Sequence, residues 1–214
     1  MRYAGDITRP GSNSELHAVD ERIVGPMPES LDFAQAASLP LTASTAWELL
    51  FDRLRAHAAD PAGDNALLVI GAAGGVGSIL TQLARELTGM TVIGTASRAE
   101  TNQSDAYVPQ IAAVLRPEGQ FALIDDPVDL DIGPFKAKSI SIRWELMFTR
   151  AMFTTGTMAR QHALLRRMAQ LVDRGVLKHT LARRLDGIDA ASLIQAHALV
   201  EAGTMIGKVV VARP

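Results

Sequence analysis

Residues 72–77 read Ala72-Ala73-Gly74-Gly75-Val76-Gly77, one alanine away from a G-x-G-x-x-G turn. Glycine at these places lets backbone approach a pyrophosphate and lets the next helix pack tightly on the strand before it. Free N–H groups and the positive end of that helix then face the phosphates. Further on, Ala96-Ser97-Arg98 stands where an NAD site carries Asp or Glu, about 20 residues past the glycines, for the ribose 2′-hydroxyl. No carboxylate is there to repel a 2′-phosphate; Ser97 can donate a hydrogen bond and Arg98 can pair with phosphate. The expected cofactor is NADP(H). Two plainer readings stand beside it: a close-packed turn without a ligand, and Arg98 as a solvated loop charge.

Other chemistries find little support. The chain has no cysteine, so disulfides, iron–sulfur clusters and thiolate zinc sites are excluded. The histidines, at 17, 57, 162, 179 and 197, never fall at i,i+3 or i,i+4, and no metal site is expected. A net charge of −2 over 214 residues argues against a nucleic-acid surface. No apolar run approaches the roughly 18–20 residues of a membrane span, and the first residues carry no apolar signal-peptide core. A small-molecule substrate and a cytoplasmic location are the expectations.

The turn needs elements to hold it. "NALLVIG" (65–71) is a continuous apolar run, as in a strand buried on both faces of a parallel sheet. The helix after the glycines places Ile79, Leu80, Leu83, Ala84 and Leu87 on one face, with Gly89 at its C′ position. "TVIGTAS" (91–97) completes a βαβ unit. A short helix over 104–115 with Ile111, Val114 and Leu115 apolar, a turn at 116–119, and strands at 120–125 and 138–144 are expected next. Helices follow over 158–174 and 189–202, the second capped by Asp189, and "GKVVVA" ends the chain as a strand. Upstream of the turn, Ser30 is the expected cap of one helix. A second runs from about Thr42 to Ala58, with Trp47, Leu50, Phe51 and Leu54 facing a core.

"SLPLTASTAWELL" (38–50), "LLVIGAAGGVGSILTQLAREL" (67–87), "LRPEGQFALIDDP" (115–127), "KSISIRWELMFTR" (138–150) and "GKVVV" (207–211) occur in this order. Together they resemble the zinc-independent quinone oxidoreductase branch of the medium-chain dehydrogenase/reductase superfamily, whose "WELMFTR" members are often labelled zinc-type alcohol dehydrogenase-like. The resemblance covers nearly the whole chain. It implies an α/β fold: a Rossmann-type parallel sheet with helices on both faces over 30–175, and part of a GroES-like β domain from 1–29 and 176–214. It also implies NADPH-dependent, zinc-independent reduction of a quinone or α,β-unsaturated carbonyl. Thr42 matches a threonine near the nicotinamide. Ala73, Gly74, Gly75, Val76 and Gly77 match the pyrophosphate turn, and Ser97 and Arg98 the adenosine-phosphate end. Ile124 and Asp125 match the strand end by the nicotinamide ribose, and Gly207 with Lys208 a pair close to the cleft. A homodimer through strand 139–143 is implied as well.

The sequence departs from that pattern twice. About 90 residues that would build most of the GroES-like domain do not precede "YAGD". About 40 residues carrying a third and fourth strand are absent after Asn102. In the strand order 3-2-1-4-5-6, loss of strand 4 is expected to leave a slot near 10 Å wide between strands 1 and 5. Pro109 also falls inside the next helix if Ser104 caps it, at a cost of about 3 kcal/mol. The sequence is expected to lack N-terminal and internal segments of a longer polypeptide. Tyr3 is a candidate proton donor, because a phenol suits general-acid work; the plain reading is a packed residue. Two other functions stay open: a non-catalytic NADPH-binding or scaffold protein, and a zinc-dependent alcohol dehydrogenase.

Overall fold

In this computed structural model the described residues are 2–3, 5–11, 16–56, 65–95 and 107–213, with backbone alone at 2–3. The chain begins with a short antiparallel pair, β1 (Arg2–Tyr3) and β2 (Val24–Gly25). Helix α1 (Phe33–Ala37) starts at Asp32, not at Ser30. Asp32 accepts from the Gln35 N–H at 2.7 Å and Gln35 Oε1 accepts from the Asp32 N–H at 3.1 Å, so two orphan donors are satisfied reciprocally. Ser30 instead donates its N–H and hydroxyl to Asp173, at 3.0 and 2.7 Å. Helix α2 (Pro40–Trp47) begins two residues before the expected Thr42. Proline in a first turn gives up only an N–H that would lack a partner anyway. The helix then widens into one π-helical stretch, Glu48–Arg53, and ends at Leu54. The expected end at Ala58 lies outside the described residues.

The βαβ unit forms as its pattern predicts. β3 (Ala66–Val69) and β4 (Thr91–Gly94) pair in parallel, Ala66 opposite Thr91, with α3 (Gly75–Thr88) between them. Ile79, Leu80, Leu83 and Ala84 are buried, and Gly89 ends the helix at φ +69°. A second parallel pair follows: α4 (Val108–Val114), then β5 (Gln120–Leu123) against β6 (Ser141–Trp144). Helix α4 starts after Tyr107, so Pro109 lies in its first turn and the expected helix-breaking cost does not arise. Strand β6 is shorter than predicted, because Lys138 ends a 3-10 turn and Ser139 sits at φ +54°.

Helices α5 (Thr149–Met152) and α6 (Arg160–Asp173) come next. Leu164, Leu165, Met168, Leu171 and Val172 of α6 are buried and Gly175 ends it at φ +71°. β7 (Leu181–Asp186) was not legible in its Arg-rich sequence. It pairs in parallel with β8 (Lys208–Ala212) across α7 (Ala190–Glu201), which Asp189 caps through the Ser192 N–H.

One core joins α2, α3 and α6, with Leu39, Leu50, Ile79, Leu83, Leu165 and Met168 as its most enclosed residues. A separate cluster joins α4, β5 and Phe135. Between the two clusters the parallel strands do not meet. β3 bonds only β4, and β5 bonds only β6, among the described residues. The expectation that "NALLVIG" is buried on both faces is corrected: Leu68 is 39% exposed and only Val69 of β3 is buried. Val114, one of the apolar residues of the expected helix, is exposed. Both residues line the cleft between the two parallel pairs. No helix among the described residues is long and apolar enough to cross a membrane.

Candidate cofactor site

The glycine turn is built by close approach. Gly74 caps α3 in extended backbone conformation, and the first hydrogen bond of the helix runs from the Ser78 N–H to Gly74 O at 3.0 Å. The N–H groups of Gly75, Val76 and Gly77 therefore have no intrahelical acceptor and point out of the helix end. A Cβ at Gly77 would collide with Gly71 O and lie 2.7 Å from Ala72 Cα, both backbone atoms that cannot yield. That is the tight strand-to-helix packing expected of the last glycine. Gly71 takes φ +72°, a left-handed conformation that suits glycine.

Two further segments fix the turn. The Ala72 N–H donates to Thr95 O at 2.9 Å, which brings the end of β4 beside the glycines. Ser97 and Arg98 follow directly but lie outside the described residues. On the other side the Gly207 N–H donates to Ala73 O at 2.9 Å, so the start of β8 is tied to the turn. Gly207 itself is held at φ +69° against Thr180 O. Thr180 donates its hydroxyl to Ser38 O at 3.0 Å, which links this corner to α2.

Thr42, Gly75 and Lys208, chosen from distant parts of the sequence, come together. A Cβ at Gly75 would lie 2.8 Å from Lys208 Cδ and 3.2 Å from Thr42 Cγ2. Thr42 is buried, and its hydroxyl donates back to the carbonyls of Ser38 and Leu39. Burial holds the Lys208 ammonium below the usual lysine range, and no carboxylate among the described residues pairs with it. Ile124 and Asp125 close the far wall of the same cleft, whose volume is about 530 Å³. Burial, and then the neighbouring Asp126 charge, push the Asp125 carboxyl above its usual range. Of the predicted residues, Gly74, Gly75, Val76, Gly77, Ile124, Asp125 and Lys208 line the cleft. Ala73 contributes the carbonyl that anchors Gly207, and Thr42 buttresses Gly75 from behind. The backbone of Tyr3 lies in β1; its side chain is outside what the structure describes.

Sequence reasoning missed Val200, Gly203 and Met205, which line the cleft from α7 and the loop after it. It also missed a buried charge cluster that ties the π-helical stretch to the end of β6 and to α5. Arg150 donates to Glu48 at 3.1 Å and to Asp52 at 2.7 Å, while Arg53 donates to Glu145 at 2.6 Å. Glu48 and Glu145 are almost wholly buried, and each has one oxygen without a hydrogen-bond donor. A neighbouring carboxylate of this kind favours a proton on one of the pair. Burial, then the Glu48 charge, push the Glu145 carboxyl up to about 7. A charged residue inside the apolar run "AWELL" was the one available signal.

The residues fit a dinucleotide: a phosphate-sized cradle of bare glycine backbone, three open N–H groups and a cation without a carboxylate partner among the described residues. Among the described residues no three His, Cys, Asp or Glu side chains converge.

The model for zinc-binding dehydrogenases matches residues 91–211. A zinc-type alcohol dehydrogenase-like protein of Staphylococcus epidermidis is 32% identical over 251 residues, covering 98% of this chain and 74% of that protein. Since 251 aligned positions exceed the 214 residues present, at least 37 positions of the alignment have no counterpart here. A solved protein of Rhizobium etli CFN 42, named a candidate zinc-dependent alcohol dehydrogenase, is 47% identical with a TM-score of 0.92. It is matched over 98% of this chain and 72% of its own. An NADPH-dependent alkenal/one oxidoreductase of Arabidopsis thaliana is 37% identical over 90 residues, 42% of this chain and 22% of that protein. With these matches over a Rossmann-type glycine turn, the chain belongs to the zinc-binding dehydrogenase family of medium-chain dehydrogenase/reductase oxidoreductases.

Proposed function

We propose that the chain acts as an NADPH-dependent reductase that passes hydride to a quinone or an α,β-unsaturated carbonyl without zinc. The observation that carries this reading is the pairing of the open α3 N-terminus with the Lys208 ammonium, which no carboxylate among the described residues pairs, around Gly75. Three free N–H groups and one cation suit a pyrophosphate. Gly74, Gly75, Val76 and Gly77 would hold it, with Ala73 tying β8 to the turn and Thr42 supporting Gly75. Ile124 and Asp125 would meet the nicotinamide ribose, and Ser97 and Arg98 the 2′-phosphate. When bound, the cofactor supplies hydride from nicotinamide C4. The chain orients it, and solvent or the Tyr3 hydroxyl supplies the proton. The name of the Arabidopsis relative supports the substrate class. The outer edge of β6, unpaired among the described residues, suits a two-fold strand pairing with a second copy.

The second reading is a non-catalytic NADPH-binding protein. It draws on the gap between β3 and β5: the glycine turn and the Ile124–Asp125 wall belong to sheets that are not hydrogen-bonded to each other among the described residues. Titration of NADPH and NADH by cofactor fluorescence, followed by consumption assays with a quinone and an enone, separates the two. Tight NADPH binding with turnover supports the reductase. Binding without turnover of either electrophile supports the binder. Tight NADH binding with weak NADPH binding overturns the reading of Ser97 and Arg98, and activity lost to a chelator overturns the zinc-independent mechanism.

A further inference from the structure

Three segments are held together by the buried charges. The π-helical stretch contributes Glu48, Asp52 and Arg53, the residue after β6 contributes Glu145, and α5 contributes Arg150. Arg150 bridges Glu48 and Asp52, at 3.1 and 2.7 Å, and Arg53 holds Glu145 at 2.6 Å. Three carboxylates are thus strung on two guanidiniums. A third, Arg160 of α6, reaches Asp52 from outside at 62% exposure, where solvent screens it. The enclosed part of the cluster is short of one positive charge. Its oxygen atoms show the same shortage. Glu48 Oε2 and Glu145 Oε1 are buried and receive no donor, and Arg53 Nη2 stops 4.0 Å from Glu48 Oε2. The two carboxyl groups are close enough to hydrogen-bond once one of them is protonated. A single proton between them supplies both the missing charge and the missing donor. Burial raises both carboxyl groups above their usual range, against the pull of Arg150 on Glu48 and of Arg53 on Glu145. The pair also joins two walls of the cleft. Leu49 follows Glu48, the Glu145 N–H donates to Leu123 O at 3.0 Å, and both leucines line the cleft.

We propose that Glu48 and Glu145 form a proton-held latch: one shared proton ties the π-helical stretch to the β6–α5 segment, and its loss opens this corner while the rest of the fold stays closed. The latch does not depend on what the cleft binds. Its test is amide hydrogen exchange of the intact chain at about pH 6 and about pH 8.5, corrected for the intrinsic effect of pH on exchange. The reporters are the amides of Leu54 and Glu145, which donate to Leu49 O and Leu123 O at this corner, and the reference is Leu83 in the closed core. Protection of the two reporters should fall at least about tenfold between the two pH values. At the higher pH it should lie at least about tenfold below that of Leu83. In Glu145→Gln, which cannot ionise, the fall should shrink below about twofold; Glu48→Gln repeats the test where Glu145→Gln does not fold. Reporter protection that does not change with pH in the unsubstituted chain overturns the proposal. So does a fall that persists in the glutamine variant, by placing the titrating group elsewhere. Reporter protection equal to that of Leu83 at both pH values also overturns it, because the corner then opens only with the whole chain.

Discussion

The α2–α3–α6 side of the molecule and the β3–β5 side are built from comparably apolar sequence, yet only one of them is closed. On the helical side Leu50, Ile79, Leu83, Leu165 and Met168 are fully enclosed. Even carboxylates are drawn inside there, with Arg53 and Arg150 to compensate them. On the strand side Leu68, Ile70 and Ile93 stand open, although "LLVI" and "TVI" read as buried strands. The difference lies in the neighbours and not in the segments. A helix face needs one opposing helix, and α2 and α6 provide it. A central parallel strand needs a partner on each edge and a layer on each face, and among the described residues β3 has one edge partner.

Substitutions that probe this contrast should differ in size accordingly. The largest effect is expected for Arg150→Ala, which strands Glu48 and Asp52 without their common partner. Removing one member of a buried ionic group costs about 3–5 kcal/mol, read as a fall in the urea midpoint. Next comes a matched pair of truncations. Leu83→Ala in the closed core should cost about 2–5 kcal/mol. Leu68→Ala at the slot should cost under about 1 kcal/mol. Equal losses at the two sites would remove the contrast.

A smaller effect is expected from pH. The Glu145 carboxyl sits at about 7 in the folded chain, against about 4.3 when unfolded. The folded state therefore holds the proton more tightly. This contribution to stability is complete below about pH 4 and is lost as pH rises through about 7. Glu145→Gln should flatten that part of the profile; an unchanged slope would show that Glu48 and Glu145 do not share a proton. The smallest effect is expected for Lys208→Met, which removes one cation beside the glycine turn. NADPH should bind about tenfold more weakly, about 1.4 kcal/mol, with the urea midpoint nearly unchanged.

Local chemistry made much of this protein readable in advance. The faces of α3 and α6 follow from 3.6-residue spacing, and the stops at Gly89 and Gly175 from the left-handed backbone glycine tolerates. The turn at 74–77 follows from the space a Cβ would need. Each depends on residues within one or two turns of each other. Other features were decided only when distant segments met. The Arg-rich strand β7 is a strand because β8 lies beside it. Glu48 is buried because the π-helical stretch turns it toward Arg150, 102 residues away. Lys208 becomes part of the glycine turn because Gly207 bonds to Ala73. The openness of β3 belongs to this second kind: its residues demand burial, and whether they receive it depends on a neighbour that no local pattern contains.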